Sequence, residues 1–181
     1  LYQGLISKTR GVDLIVEAAL EVCKQNSNVV FFFLGDGPYL EELKKLVVSN
    51  NLEEKIYILG KIDQSELLKY TMSADIGVHA ISNTCLNHEY CLPNKVFEYI
   101  HAHVVLVVTN LLELSKFVEE NQVGITFKDN DAKSLEESLN KILGDDELYN
   151  KFKSNSMEAS QKLTWDNEYR VLKKLYEDIL K

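Results

Sequence analysis

Apolar and polar positions fall in blocks along this chain, and the blocks switch between two periods. Val29-Val30-Phe31-Phe32-Phe33-Leu34 is continuously apolar, the pattern of a strand buried on both faces. Shorter runs over residues 1–6, 55–59, 74–80, 104–108 and 124–127 read as further strands. Between them apolar residues return at helical spacing. Val12, Ile15, Val16, Ala19 and Val22 mark one helix, and Leu40, Leu43 and Val47 another. Residues 64–72, 112–120 and 131–143 predict three more, and 145–163 and 165–180 a closing pair. In the last, Tyr169, Leu172, Leu175, Tyr176 and Ile179 form one stripe, which predicts a packed face rather than a cofactor site.

Strands alternating with helices imply an α/β fold, a doubly wound parallel sheet of about six strands with extra C-terminal helices. Such sheets bind ligands beyond the carboxyl ends of their strands. Three features follow strands and so share that edge: the turn carrying Arg10, the Gly35-Asp36-Gly37-Pro38 turn, and the loop and helix from Pro93 to Glu98. Pro93 suits a first helical position. Lys95 then falls in the first turn, where the helix dipole disfavours a cation unless an anion sits there too. Glu98, one turn on, is placed to accept hydrogen bonds from hydroxyls such as those of a ribose. The plain alternative is a surface lysine, an ordinary helical glutamate and a tight glycine turn. Taken together, two cations, bare backbone and a carboxylate on one edge suit a nucleotide-type ligand.

Composition narrows the classes. The 181 residues suffice for one domain with a core. A formal net charge of −8 argues against a broad nucleic-acid surface but leaves room for a local cationic pocket. No apolar run approaches the ~20 residues of a membrane span. Three scattered cysteines and no visible secretory signal favour a reducing compartment. Cys85, His88 and Cys91 are evenly spaced but lack the fourth ligand of a structural zinc site, so no metal is expected. His79, His101 and His103 read as structural. The chain opens at Leu1, on a strand and without Met, so a domain cut from a longer polypeptide is expected.

Several segments carry a family likeness. They are Tyr2-Gln3-Gly4 with Arg10-Gly11 and Glu17-Ala18, Phe33-Leu34-Gly35-Asp36-Gly37-Pro38, and Ile58-Leu59-Gly60 with Glu66-Leu67 and Tyr70. Ala74-Asp75-Ile76 then leads into the most specific stretch, Leu92-Pro93-Asn94-Lys95-Val96-Phe97-Glu98-Tyr99-Ile100, and Thr164-Trp165 with Tyr176 closes the pattern. Over nearly its whole length the chain resembles the C-terminal, donor-binding domain of a group 1 (family 4) glycosyltransferase of the GT-B fold. The resemblance implies a nucleotide-sugar donor such as a UDP- or GDP-sugar, retention of anomeric configuration, and no metal or other cofactor. It implies donor-binding roles for Gly4, Arg10, Gly35, Gly37, Glu89, Tyr90, Pro93, Asn94, Lys95 and Glu98. Arg10 and Glu98 carry the catalytic roles: Arg10 matches the basic residue on the diphosphate, and Glu98 the second glutamate of an E-x7-E motif, on the ribose.

The departures are specific. Tyr90 stands where the first motif glutamate falls, with Glu89 one residue off, which bears on sugar recognition. Leu5 replaces an arginine, and Lys95 is a candidate replacement. Ala102-His103-Val104-Val105 stands where the family has Ala-Gly-x-Pro. The implied whole is a transferase acting on a glycan or lipid-linked acceptor in surface-polysaccharide biosynthesis. It is expected in the cytoplasm or peripheral at the inner membrane face. Residues 1–181 are then its nucleotide-sugar-binding domain, with an N-terminal acceptor domain as the missing partner and no nucleic-acid partner. Membrane contact runs only through the missing half. Two rivals stay open: a nucleotide-sugar 2-epimerase of GT-B fold and a non-catalytic nucleotide-binding module. The Pro93–Glu98 pattern fits the transferases better, and the degenerate first glutamate favours the module.

Overall fold

The computed structural model describes residues 1–180. Strands β1 (Tyr2–Gln3), β2 (Phe31–Leu34) and β3 (Ile56–Gly60) pair in parallel, as do β4 (Ile76–His79), β5 (Val105–Thr109) and β6 (Gly124–Phe127). The two halves meet at β1 and β4. The Leu1 nitrogen donates to Ile76 O at 2.7 Å, and Val78 N donates to Leu1 O at 2.8 Å. The spatial order is therefore β3-β2-β1-β4-β5-β6, and it reverses between β1 and β4, where a crevice opens at the carboxyl ends.

Helices α1 (Val12–Gln25), α2 (Leu40–Ser49) and α3 (Gln64–Met72) follow β1 to β3 in turn. After β4 come a four-residue helix α4 (Leu86–Glu89), which periodicity does not predict, and α5 (Asn94–His101). Next are α6 (Leu112–Asn121), α7 (Ala132–Leu143), α8 (Asp146–Lys162) and α9 (Trp165–Ile179). Asp145 caps α8 by accepting from Leu148 N at 2.9 Å, and Thr164 caps α9 by accepting from Asn167 N at 3.3 Å.

β5 shows why a continuous apolar run makes a central strand. Val105 and Val107 enter the core under α1 and α7, while Leu106 and Val108 enter the opposite one under α5 and α6. β2 departs from this expectation. Phe31 and Phe33 are buried, but Phe32 is half-exposed and stacks on Tyr57 of the edge strand, centroids 5.2 Å apart. The helix after β3 does not cover this face: α3 packs on α5 and buries only Thr71.

Tyr99 of α5 ties the reversal point together. Its ring lies against Gly77 of β4, where a Cβ would come within 2.7 Å of ring carbons. Its hydroxyl accepts from Gln3 N at 3.1 Å and lies 3.4 Å from Val78 O, a geometry for donation.

Three other expectations change, and His103 is accommodated where the family has glycine. β1 covers two residues rather than six, because the chain turns at Gly4 into a 3-10 turn over Lys8–Arg10. Pro93 has extended ψ (149°) and is the N-cap, so α5 begins one residue later, at Asn94. His103, at the expected family glycine, takes a left-handed φ of 58°, and its Nε2 lies 3.3 Å from Ser160 Oγ of α8. Finally, the stripe on α9 is not buried: Tyr169, Leu172, Leu175, Tyr176 and Ile179 are between 41% and 69% exposed.

Candidate functional site

The crevice holds a cavity of about 320 Å³, lined by Gln3, Gly4, Leu5 and Arg10 on the β1 side and by Pro93, Asn94, Lys95 and Glu98 on the α5 side. Gln64 and Leu67 of α3 complete it. A second cavity of about 310 Å³ shares Gly4, Leu5 and Leu67 and runs on past Gly35, Asp36, Lys61 and Ile62. Each lies at the lower end of the roughly 300–1,000 Å³ usual for small-molecule sites. A third, also about 310 Å³, lies at the opposite end of the strands among Val30, Phe32, Ser73 and Asp75, and none of the candidate donor-binding residues lines it.

The glycine turn is first a backbone joint. Gly35 has φ +144°, and a Cβ on it would sit 1.8 Å from Gly4 O. Gly4 N donates to Leu34 O at 2.8 Å in the same joint. Gly35 therefore lets two strand ends abut and leaves a side-chain-free wall on the second cavity. Gly37 abuts Ile6 O in the same way and lines neither cavity.

The cations converge from two elements. Arg10 ends the 3-10 turn after β1, and Lys95 is the second residue of α5. Lys95 Nζ lies 4.3 Å from the centroid of the Tyr2 ring, a cation–π contact, and 2.9 Å from where a Gly4 Cβ would be. The Tyr2 hydroxyl donates to Leu5 O at 2.6 Å, and burial pushes its pKa well up, so the ring stays neutral. Burial and then the Arg10 guanidinium lower the pKa of Lys95 to about 7, against the pull of Glu98. Among the described residues the ion pairs all join residues three or four apart, and none includes Arg10 or Lys95. No side chain caps α5, so its first amides are without a side-chain acceptor.

Glu98 is held by residues the sequence reading did not single out as functional. Gln3 Nε2 donates to Glu98 Oε2, and the Thr71 hydroxyl donates to Gln3 Oε1 at 2.7 Å. The available signal was a glutamine inside an apolar strand. Glu89 and Tyr90 stand apart: Glu89, on α4, accepts from Asn83 Nδ2, Tyr90 is exposed, and neither lines the two cavities. His79 is fully buried at the end of β4, and both its ring nitrogens lack a hydrogen-bond partner. Burial, then Lys95, Arg10 and His88, hold its pKa well below the usual imidazole value. Cys91 Sγ donates to His88 O at 3.3 Å, and His88 Nδ1 lies 2.8 Å from Ser82 O.

A crevice at the strand reversal, where Arg10 on one side meets Lys95, the open helix amides and the Glu98 carboxylate of α5 on the other, calls for comparison with known proteins. The profile of the family described as "Glycosyl transferases group 1" matches residues 1–159. The chain belongs to that family. Among its glycosyl transferase relatives is an uncharacterized glycosyltransferase of Methanocaldococcus jannaschii, 22% identical over 181 residues, covering 99% of this chain and 45% of the relative. The pneumococcal O-GlcNAc transferase GtfA, solved in complex with UDP and GlcNAc, superposes with a TM-score of 0.83 at 15% identity. That match covers 99% of this chain and 35% of GtfA. The C-terminal domain of a glycosyl transferase group 1 protein (LpcC) from Francisella tularensis superposes at 0.76 with 18% identity, covering 90% of this chain and 84% of that domain. The fold is thus that of GT-B C-terminal domains. The chain spans less than half the length of the curated glycosyl transferases it matches, 45% and 48% of two from Methanocaldococcus jannaschii. Among the described residues no helix is long and apolar enough to cross a membrane.

Proposed function

We propose that this chain is the donor-binding half of a retaining glycosyltransferase that uses a nucleoside diphosphate sugar. One observation carries the reading: in a protein of net charge −8, two cations without carboxylate partners meet on one crevice. A diphosphate between Arg10, Lys95 and the first amides of α5 supplies the missing negative charge. Glu98 accepts from the ribose diol, and the second cavity, continuous at Gly4 and Leu5, takes the base. Lys95 stands beside Gly4, the neighbour of Leu5 in the chain, which supports it as the replacement for the absent arginine.

The chemistry assigned to these residues is electrostatic. As the sugar–phosphate bond breaks, charge grows on the leaving diphosphate, and fixed cations and amides lower the barrier by meeting it there. No covalent nucleophile, metal or other cofactor enters this scheme. Retention rests on the family resemblance. A uridine donor is supported by the UDP bound in GtfA. The acceptor, a glycan or a lipid-linked sugar of surface-polysaccharide synthesis, is assigned to an N-terminal half on the cytoplasmic side. The short span against relatives and the uncovered stripe of α9 support such a half.

Calorimetry with UDP and GDP tests the site. Arg10→Ala and Glu98→Ala are each expected to weaken binding by roughly tenfold or more, with thermal unfolding unchanged in Arg10→Ala and lowered but still cooperative in Glu98→Ala, which strips the Gln3 amide of its acceptor. Unchanged affinity in both variants overturns the assignment. A radiolabelled transfer assay on the longer polypeptide separates an enzyme from a non-catalytic nucleotide-binding module.

A further inference from the structure

Glu98 is not free to choose its rotamer. Gln3 is 2% exposed and Thr71 is fully buried, so both are fixed by the core. A carboxylate only accepts hydrogen bonds, so the part of Gln3 that meets Glu98 Oε2 is its NH₂ group. Gln3 Oε1 then faces the Thr71 hydroxyl, which donates to it at 2.7 Å and also lies 2.9 Å from Leu67 O. The Gln3 backbone is anchored as well: its N–H donates to Tyr99 O–H, and its register in β1 is set opposite Leu34. One glutamine thereby connects β1, α3 and α5 and ends on the carboxylate that lines the cavity. Glu98 Oε1 has no hydrogen-bond partner among the described residues.

We propose that Gln3, locked by Thr71, is the positioning residue that aims Glu98 and so gives the site its preference for an intact ribose diol. The proposal rests on the reading of Glu98 as the ribose acceptor. With Oε2 pinned from the protein side, Oε1 is presented to a ligand hydroxyl at no rotamer cost on binding. Loss of the pin leaves the carboxylate in place but unaimed, which weakens hydroxyl recognition and spares the diphosphate.

The test is a ratio of affinities on this chain, measured by calorimetry with UDP or GDP, whichever binds tighter, its 2′-deoxy analogue, and inorganic pyrophosphate. Wild type is expected to prefer the ribonucleotide by roughly tenfold or more. Gln3→Met, similar in shape and without a donor, is expected to cut that preference to within about twofold while pyrophosphate affinity stays at the wild-type value. Thr71→Val is expected to move the ratio the same way, and Thr71→Ser to restore it. Should Gln3→Met fail to fold, the Thr71 pair decides alone. A folded Gln3→Met or Thr71→Val that keeps the wild-type ratio overturns the proposal, as does equal loss of nucleotide and pyrophosphate affinity, which marks a purely structural role. A wild type with no preference, or with no affinity for either nucleotide, instead removes the ribose reading of Glu98, and the proposal with it.

Discussion

The ammonium of Lys95 sits 4.3 Å from the centre of the Tyr2 ring, with the Arg10 guanidinium and not a carboxylate as the second-largest influence on its charge. The ring softens the burial of a cation without supplying an anion. That is the electrostatic setting of a lysine that charges fully only when an anionic ligand arrives.

Nucleotide binding is therefore expected to take up a proton. With Lys95 held at about 7 in the free protein, a diphosphate beside it favours the charged form and raises that value. UDP affinity should fall as pH rises from 7 to 9, by up to about tenfold per unit. Calorimetry at pH 8 in buffers of different ionisation enthalpy reads the uptake. Lys95→Met should bind more weakly and show none; unchanged uptake in that variant assigns the proton elsewhere.

His79 should make the protein acid-sensitive. Its folded pKa lies below its unfolded one, near 6.5, so the stability it permits is complete above about pH 6.5 and is lost as pH falls from there towards the folded value. Its two nitrogens are also unpartnered at neutral pH. His79→Leu is expected to gain about 1–2 kcal/mol at pH 7.5 and more at pH 5.5. Urea titrations at the two pH values measure both, and a wild type equally stable at each would contradict the assignment.

Tyr99→Phe removes the acceptor of a buried N–H. The Gln3 amide then has no partner at the junction of β1 and α5. A loss of about 1–3 kcal/mol is expected in chemical unfolding. A variant as stable as wild type would mean that the Tyr99 ring alone, seated on Gly77, holds the junction.

Removing α9 should cost little. None of its residues is buried, so the core gains nothing from it. Deleting residues 165–181 is expected to lower the melting temperature by no more than about 2 °C. A fall well beyond that would reveal packing that this arrangement lacks.

The resemblance and the strand–helix alternation placed Arg10 and the Pro93–Glu98 helix on one edge, and there the structure has them. Glu89, Tyr90 and Gly37 were named with them but lie off the two cavities. They sit in turns and a short helix, where the path of the chain is set by contacts rather than by a repeating period. The roles of Gln3 and Thr71 were not legible in the sequence for a related reason. Their hydrogen bonds span 95 and 68 residues, and no local pattern in a single chain records such a pairing.

By itself the sequence determined the order of elements, because burial demands a period of two in strands and 3.6 in helices, and the shared edge followed from their alternation. Only the tertiary structure decided which apolar faces found a cover. β5 was enclosed on both sides, Phe32 on β2 was not, and the stripe of α9 was left open. A pattern states that a face is apolar, whereas the neighbour that buries it, or the glutamine that aims a carboxylate, comes from elsewhere in the chain.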